Sequence, residues 1–335
     1  MKKILSGPGC LRLILALIVF ASHESREAVG TAAVDIFFAL SGYWIFQMYE
    51  HKYSKTRSPY FTYITSRFWR LLPTFLLVNT AALLMDVFYL KVKLLPGAWT
   101  GNFHVVFSNL FILGYNSMHY LPLVTAWSLD MEVQFYLIAP ILIWLVKKRP
   151  WTVLAAGACI SLFFSFFPNP LLTGILVFFV IGLTAAATSW KPSPRLVTAS
   201  LILLPLLFAL CLLSPWRYVI YMQTPPNPMQ NYNDAINALF ALIAMPIAFY
   251  TTSQKGGRHD STFGELSYII YLLHWPFVVL FPPRASTFAL RTLERIVVVI
   301  VVLALSYVIL RVFDKPLNRM RALWVNQRIP APRPA

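Results

Sequence analysis

Two polar residues enclose the first long apolar stretch of the chain, with Arg12 at its start and His23 at its end. On an α-helix they would stand roughly 16 Å apart, about half the thickness of a bilayer core. An ionisable residue inside a membrane is costly and is a functional hypothesis by default. Histidine also suits general-base chemistry near neutral pH. The alternative is that Arg12 reaches a membrane interface and His23 is an ordinary loop residue.

Acidic residues are rare in this chain, with only 12 in all, yet some of them lie within the apolar runs. Asp35 lies in the second apolar run, and Glu132 enters an apolar helix that begins near an interfacial Trp127. Such carboxyl groups should face the bundle interior and find partners there. A helix-capping role explains Asp130 well and Glu132 poorly. His274, in a later run, is either a satisfied core residue or part of a site.

Two arginines lie where the chain enters the third apolar run, predicted at 71–89. Arg67 and Arg70 are three residues apart and would share one face of a helix. Because arginine forks match phosphate geometry, these residues would contact either lipid headgroups or a phosphate-bearing nucleotide.

The elements that must position these residues are membrane helices. Of the 335 residues, 58% are hydrophobic and 12% are charged, whereas about one quarter of a soluble domain is charged. This composition predicts an integral membrane protein. The net charge of +16 comes from basic residues that lie mostly between apolar runs, which fits anionic lipid better than nucleic acid. The three cysteines show no metal-ligand spacing, and we predict no metal site.

The apolar runs predict an all-α polytopic membrane bundle of about ten transmembrane helices. One further run, near 103–115, is short and carries polar residues, so we expect it to be re-entrant or interfacial. Lys and Arg concentrate in alternate loops, and the positive-inside rule then places both termini in the cytoplasm. We expect one membrane domain over 1–324 and a disordered cytoplasmic tail over 325–335.

Five blocks of the chain, taken in order, resemble the motifs of the membrane acyltransferase 3 family. They are Arg12 with His23 in an Arg-x10-His spacing, Ala33–Gly42, Arg67–Pro73, Trp127–Tyr136, and Leu266–Pro276 followed by Phe313–Pro316. Each block is weak alone, but together they are specific and extend over nearly the whole chain. The chain departs from the family pattern at Leu13 and Ala33, where glycine is usual, and at Val133, where a second acidic residue is common. No matched polar residue is lost, so these departures bear on the acceptor rather than on the activity.

The resemblance implies an O-acyltransferase of a bacterial inner membrane. It would move an acyl group, most often acetyl, from cytoplasmic acyl-CoA to a hydroxyl of an extracytoplasmic or lipid-linked glycan such as an exopolysaccharide. His23 would act as general base or carry the acyl group itself, with Asp35 or Glu132 orienting its imidazole. The predicted site residues are His23, Asp35 and Glu132 for catalysis, Arg12, Arg67 and Arg70 for the CoA phosphates, and Trp127, Tyr136 and His274 for the acceptor.

Expected partners are a glycan or lipid-linked saccharide acceptor, membrane lipids and polysaccharide-assembly machinery. Acceptor specificity is expected in the outer loops at 90–125 and 215–234, because loops commonly carry specificity. The main alternative is a transporter or flippase of a lipid-linked sugar, since buried His, Asp and Glu residues also suit proton coupling. Consumption of acyl-CoA would distinguish the two functions.

Overall fold

A computed structural model describes residues 7–89, 102–167, 170–223 and 226–330. Within these residues the chain is built from helices joined by turns, and the predicted all-α polytopic fold is confirmed. The helices are, in chain order, α1 (Pro8–Glu24), α2 (Gly30–His51), α3 (Pro59–Phe88), α4 (Asn102–Phe111), α5 (Trp127–Lys148), α6 (Pro150–Phe164), α7 (Leu176–Ala187), α8 (Pro194–Leu213), α9 (Arg217–Ile220), α10 (Asn233–Thr252), α11 (Asp260–Leu280), α12 (Phe288–Ile309) and α13 (Lys315–Gln327).

Seven helical segments of the described residues are long and apolar enough to cross a membrane: α2, α3, α5, α8, α10, α11 and the continuous α12–α13. The other predicted spans correspond to the shorter helices α1, α6 and α7, with 17, 15 and 12 residues. The protein is therefore a multi-pass membrane protein, and the number of ten spans stays a prediction. Helix α4 has 10 residues, about 15 Å, and is too short to span, as expected for the run near 103–115.

Two helix boundaries differ from the prediction. Helix α3 begins at Pro59, well before the predicted span at 71–89, because basic and aromatic residues continue the helix beyond its apolar part. Helix α13 continues to Gln327 and Val325 is only 2% exposed, so residues 325–327 of the tail predicted as disordered are helical, and disorder in the rest of it stays a prediction. Residues 331–335 of that tail lie outside the described residues, as do 90–101 and 224–225 of the predicted specificity loops.

The chain divides into two compact units, each made from separate stretches of sequence. Unit 1 comprises Met1–Leu40 and Ser189–Ser306, and unit 2 comprises Ser41–Thr188 and Tyr307–Ala335. Helix α2 passes from the first unit into the second between Leu40 and Ser41. The single domain over 1–324 stays a prediction.

A small apolar core in unit 1 joins α1, α11 and α12. Its buried members are Ala16 and Phe20 of α1, Ile270 of α11 and Val302 of α12. Because the backbone groups of each helix are satisfied internally, these apolar side chains can pack without leaving polar atoms exposed to lipid. This packing holds α1 and α11 side by side.

In unit 2, a close helix contact depends on one glycine. A Cβ atom at Gly42 of α2 would meet the backbone carbonyl oxygen of Phe179 in α7. Glycine allows this approach because it has no side chain. The ring of Phe179 stacks on Phe135 of α5, with ring centroids 4.2 Å apart. These contacts pack α2, α5 and α7 around the part of unit 2 that holds Glu132.

Candidate active site

His23 and His274 form a hydrogen-bonded pair in unit 1, although they are 251 residues apart in the sequence. Nδ1 of His23 lies 2.8 Å from Nε2 of His274. The two rings stack with centroids 5.1 Å apart, and the ring of Trp275 meets that of His23 edge-on at 5.2 Å. His274 is fully buried, whereas His23 is half-buried. His23 is therefore the member of the pair that a ligand can reach.

The hydrogen bonds of His274 determine which nitrogen of His23 is free to act. Nδ1 of His274 lies 2.9 Å from the backbone carbonyl of Ile270. A carbonyl oxygen only accepts, so Nδ1 of His274 carries a proton. Nε2 of a neutral His274 is then an acceptor, and the proton between the rings belongs to Nδ1 of His23. A neutral His23 keeps its lone pair on Nε2, which is what a general base needs.

The two histidines meet because α1 and α11 run parallel and their first turns lie side by side. The Asp260 carboxylate accepts hydrogen bonds from the backbone N–H groups of Gly9 (3.1 Å) and Cys10 (2.9 Å), which are free amides of the first turn of α1. A Cβ atom at Gly9 would meet the backbone carbonyl oxygen of Asp260. Fourteen helical steps lead from Gly9 to His23 and also from Asp260 to His274, about 21 Å in each helix. Because these two helical segments are equally long, the imidazoles of His23 and His274 lie at the same height along the paired helices.

The turn between α1 and α2 is held by two asparagines of α10. Nδ2 of Asn237 donates to the carbonyl of Ala28 (2.9 Å), and its Oδ1 accepts from the backbone N–H of Ala32 (3.0 Å). Asn233 donates to the same Ala28 carbonyl at 2.9 Å. Asn233 and Asn237 were not among the predicted site residues, although two amides four residues apart at the start of an apolar helix indicate a shared polar face.

Asp35 lies in unit 1, on the part of α2 that follows this turn. It is only 3% exposed, and its Oδ1 has no hydrogen-bond partner among the described residues. The orienting contact expected from a carboxylate is made by His274, which occupies Nδ1 of His23. A catalytic role for Asp35 stays a prediction.

Arg12 shares a face of α1 with His23. At about 100° per residue, the eleven steps between them leave the two side chains only about 20° apart around the helix axis. Arg12 is half-buried. The spacing noted in the sequence thus places one cation and one imidazole on one side of α1, at different depths. The donor-binding role of Arg12 stays a prediction.

Glu132 lies in unit 2 and is held by two hydroxyl groups. Ser41 donates to its Oε1 at 2.8 Å, and the Tyr136 hydroxyl donates to the same oxygen at 2.5 Å. Tyr136 is only 4% exposed, and its hydroxyl is hydrogen-bonded to Glu132 in this structure. Trp127 is the first residue of α5. The catalytic role of Glu132 and the acceptor contacts of Trp127 and Tyr136 stay predictions.

The other polar residues of the same block have structural partners. The Asp130 carboxylate accepts from the backbone N–H groups of Gly114 (3.0 Å) and Asn116 (2.9 Å), which lie in the turn after α4. Gln134 donates to Asp130 and accepts from the backbone N–H of Leu172. Helix periodicity explains this division, because residues 130 and 134 share one face of α5 while 132 and 136 share another.

Arg67 and Arg70 have different partners in unit 2 despite their spacing. Nη1 of Arg70 lies 3.2 and 3.1 Å from the two carboxylate oxygens of Asp314, which is in a π-helical turn between α12 and α13. The hydroxyl of Thr74 donates to the same carboxylate. Any phosphate that binds Arg70 must therefore compete with a partly buried ion pair. Arg67 instead donates to the hydroxyl of Tyr53 at 2.7 Å.

Arg321 of α13 belongs to the same region and was not among the predicted site residues. Its Nη1 donates to the Ser66 hydroxyl at 3.2 Å, and that hydroxyl lies 2.9 Å from the hydroxyl of Tyr53. In the sequence, Arg321 is one of several basic residues after the last apolar run, so charge bias alone gives no reason to single it out.

Comparisons with known proteins agree with the motifs. Over 136 residues the chain is 32% identical to the peptidoglycan O-acetyltransferase OatA of Listeria monocytogenes serovar 1/2a. That alignment covers 38% of this chain and 22% of the relative, so the chain matches about a fifth of that protein's length. No solved structure matches the chain. A family model described as an acyltransferase domain matches residues 6–311. Because this match covers most of the chain, including the His23–His274 pair, the protein belongs to the acyltransferase 3 family that its motifs resemble.

Proposed function

We propose that the protein is an integral-membrane O-acyltransferase that moves an acyl group, acetyl first of all, from acyl-CoA to a hydroxyl of a glycan. The observation that carries the proposal is the His23–His274 pair, in which Nε2 of His23 is left as a base. Family membership supports acyl transfer. The name of the Listeria relative supports acetyl as the group and peptidoglycan as the first acceptor to test.

In the proposed reaction, Nε2 of His23 removes the proton from the acceptor hydroxyl. The oxygen forms a bond to the thioester carbon, the carbon–sulfur bond breaks, and His23 returns the proton to the departing thiolate. His274 holds the Nδ1–H of His23 throughout and stabilises the imidazolium that forms. Proton and acyl group are thus both accounted for, with an ester and free CoA as products.

A second route starts from the same atom. Nε2 of His23 can itself attack the thioester and carry the acyl group before passing it to the acceptor. An acylated protein that accumulates without acceptor would support this route, and its absence in a rapid-mixing experiment would favour direct transfer. Both routes require the same tautomer of His23.

The proposed topology places both termini in the cytoplasm of a bacterial inner membrane. Arg12 then lies towards the cytoplasmic end of α1, where acyl-CoA arrives, and His23 lies towards the outer side, where an extracytoplasmic or lipid-linked glycan presents its hydroxyl. The spacing of about 16 Å along α1 supports this division of roles. Membrane lipids and polysaccharide-assembly proteins are the partners that such a reaction would need.

The test is acyl transfer by purified protein from labelled acetyl-CoA to peptidoglycan fragments and to other glycans. We expect His23→Ala to lower kcat by about 100- to 10,000-fold, the usual contribution of a general base. His259→Ala is the matched control, because His259 is exposed at the start of α11 in the same unit. Full activity of a folded His23→Ala protein would refute the assignment. A wild-type protein that moves a lipid-linked sugar without consuming acyl-CoA would favour the flippase instead.

A further inference from the structure

We propose that Glu24 and Arg295 form a binding subsite for the acceptor saccharide, in which the carboxylate and the guanidinium bind hydroxyl groups next to the one that is acylated. This inference rests on the proposed function, because it assumes that a glycan hydroxyl is the acceptor. Neither residue was among the predicted site residues. The observation that carries the inference is an incompletely paired carboxylate and guanidinium next to His23.

Glu24 is the last residue of α1 and directly follows His23. Successive side chains of a helix point about 100° apart, and these two contact different neighbours. His23 meets His274 of α11, whereas Oε2 of Glu24 lies 3.6 Å from Nε of Arg295 in α12. The Cα atoms of adjacent residues are about 3.8 Å apart. A sugar whose reacting hydroxyl is at His23 therefore has its neighbouring hydroxyls within reach of Glu24.

The ion pair of Glu24 with Arg295 leaves hydrogen-bonding atoms unused. Its separation of 3.6 Å is too long for a hydrogen bond. Oε1 of Glu24 and Nε of Arg295 are buried and have no hydrogen-bond partner among the described residues. Buried polar atoms without partners are costly. The side chain of Glu24 is 11% exposed and that of Arg295 is 43% exposed, so a ligand can enter from the arginine side and complete the pair.

The chemistry of the pair favours a neutral ligand with several hydroxyl groups. A carboxylate only accepts hydrogen bonds and a guanidinium only donates them, whereas a hydroxyl group does both. Two neighbouring hydroxyls can therefore donate to Glu24 and accept from Arg295 at the same time, through charge-assisted hydrogen bonds. An anionic ligand would be repelled by Glu24 and a cationic one by Arg295. A neutral saccharide is the class of ligand that fits both groups.

The backbone that carries both side chains is held by other contacts. In the turn after α1, the backbone N–H of Ala28 donates to the carbonyl of Ile220 at 2.7 Å. In the turn before α12, the backbone N–H groups of Arg284 (2.9 Å) and Ala285 (3.2 Å) donate to the Glu294 carboxylate. The subsite is therefore preorganised, which lowers the entropic cost of binding. Substitution of Glu24 or Arg295 should leave these turns in place.

The test is acyl transfer by the full chain in nanodiscs, from labelled acetyl-CoA to soluble peptidoglycan fragments, with KM measured for each substrate. We expect Glu24→Gln to raise the acceptor KM by about ten- to hundredfold, because it removes the charge from a charge-assisted hydrogen bond. The KM for acetyl-CoA should stay within about twofold of wild type, because the donor does not contact this pair. Arg295→Met should have the same effects. Arg291→Met is the matched control, because Arg291 is exposed on the same helix, and its acceptor KM should be that of wild type.

A second arm compares the glycan with butanol, an acceptor that offers a single hydroxyl. A site built to bind neighbouring hydroxyls discriminates against an acceptor that lacks them. We therefore expect Glu24→Gln to lower kcat/KM for the glycan and to leave kcat/KM for butanol unchanged. An equal loss for both acceptors would show that the ion pair has a structural role only, and it would overturn the inference.

A third arm exchanges the two charges. The double variant Glu24→Arg with Arg295→Glu can keep the ion pair but reverses the positions of the donor and acceptor groups, so the acceptor KM should stay raised. A return of this KM to the wild-type value would overturn the inference, as would an unchanged acceptor KM in folded Glu24→Gln and Arg295→Met proteins. A wild-type protein that transfers no acyl group to any glycan would instead refute the proposed function.

Discussion

Replacement of His274 by phenylalanine tests the arrangement on which the mechanism depends. Phenylalanine keeps an aromatic ring next to Phe20 but offers no acceptor to Nδ1 of His23, which lies 2.8 Å from Nε2 of His274. A donor left without a partner in a buried site costs about 1–3 kcal/mol. At about 1.4 kcal/mol per factor of ten, we expect kcat to fall by about 5- to 150-fold. The KM for acyl-CoA should change little, because the lost contact orients the base and does not bind the donor.

The assay is acyl transfer from labelled acetyl-CoA, with size-exclusion profile and thermal unfolding as checks on folding. His274→Gln should recover part of the activity, because its amide oxygen can accept from His23. The double variant His23→Ala with His274→Phe should be no slower than His23→Ala alone, since residues that act as a unit are not additive. Wild-type kcat in a folded His274→Phe protein, or full additivity in the double variant, would refute the positioning role of His274.

Two further predictions concern stability. Arg70→Ala should lower the thermal-unfolding midpoint strongly, by the equivalent of about 3–5 kcal/mol, because it leaves the Asp314 carboxylate buried without its cation. The exposed ion pair of Lys147 with Glu50 is the control. Lys147→Ala should lower the free energy of unfolding by at most about 1 kcal/mol. Asp260→Ala removes the cap on the first turn of α1 and should cost about 0.5–2 kcal/mol, and it should also lower kcat if the level of His23 depends on that cap. Equal midpoints for the Arg70→Ala and Lys147→Ala proteins, or an unchanged midpoint for Asp260→Ala, would contradict these assignments.

Much of the fold and part of the site were predictable from the sequence. Apolar runs long enough to span a bilayer predict helices whatever their partners, because every backbone polar group in lipid must be satisfied internally. The run near 103–115 was predicted to be re-entrant or interfacial because it is too short to cross a bilayer. Within one helix, spacing also determines direction, so Arg12 and His23 share a face of α1 and Glu132 shares one with Tyr136. The order of the five blocks was sufficient to identify the family.

The tertiary structure alone decided which of these residues meet. His274 becomes the partner of His23 only because α1 and α11 start at one level, through contacts between residues about 250 positions apart. Arg67 and Arg70 look equivalent in the sequence, yet Asp314 from the far end of the chain neutralises one of them, while the other meets Arg321 across two hydroxyls. Local periodicity sets the face of a helix on which a side chain lies. Packing between distant segments determines which residues lie opposite that face, and these partners determine whether the side chain is neutralised and what chemistry it can perform.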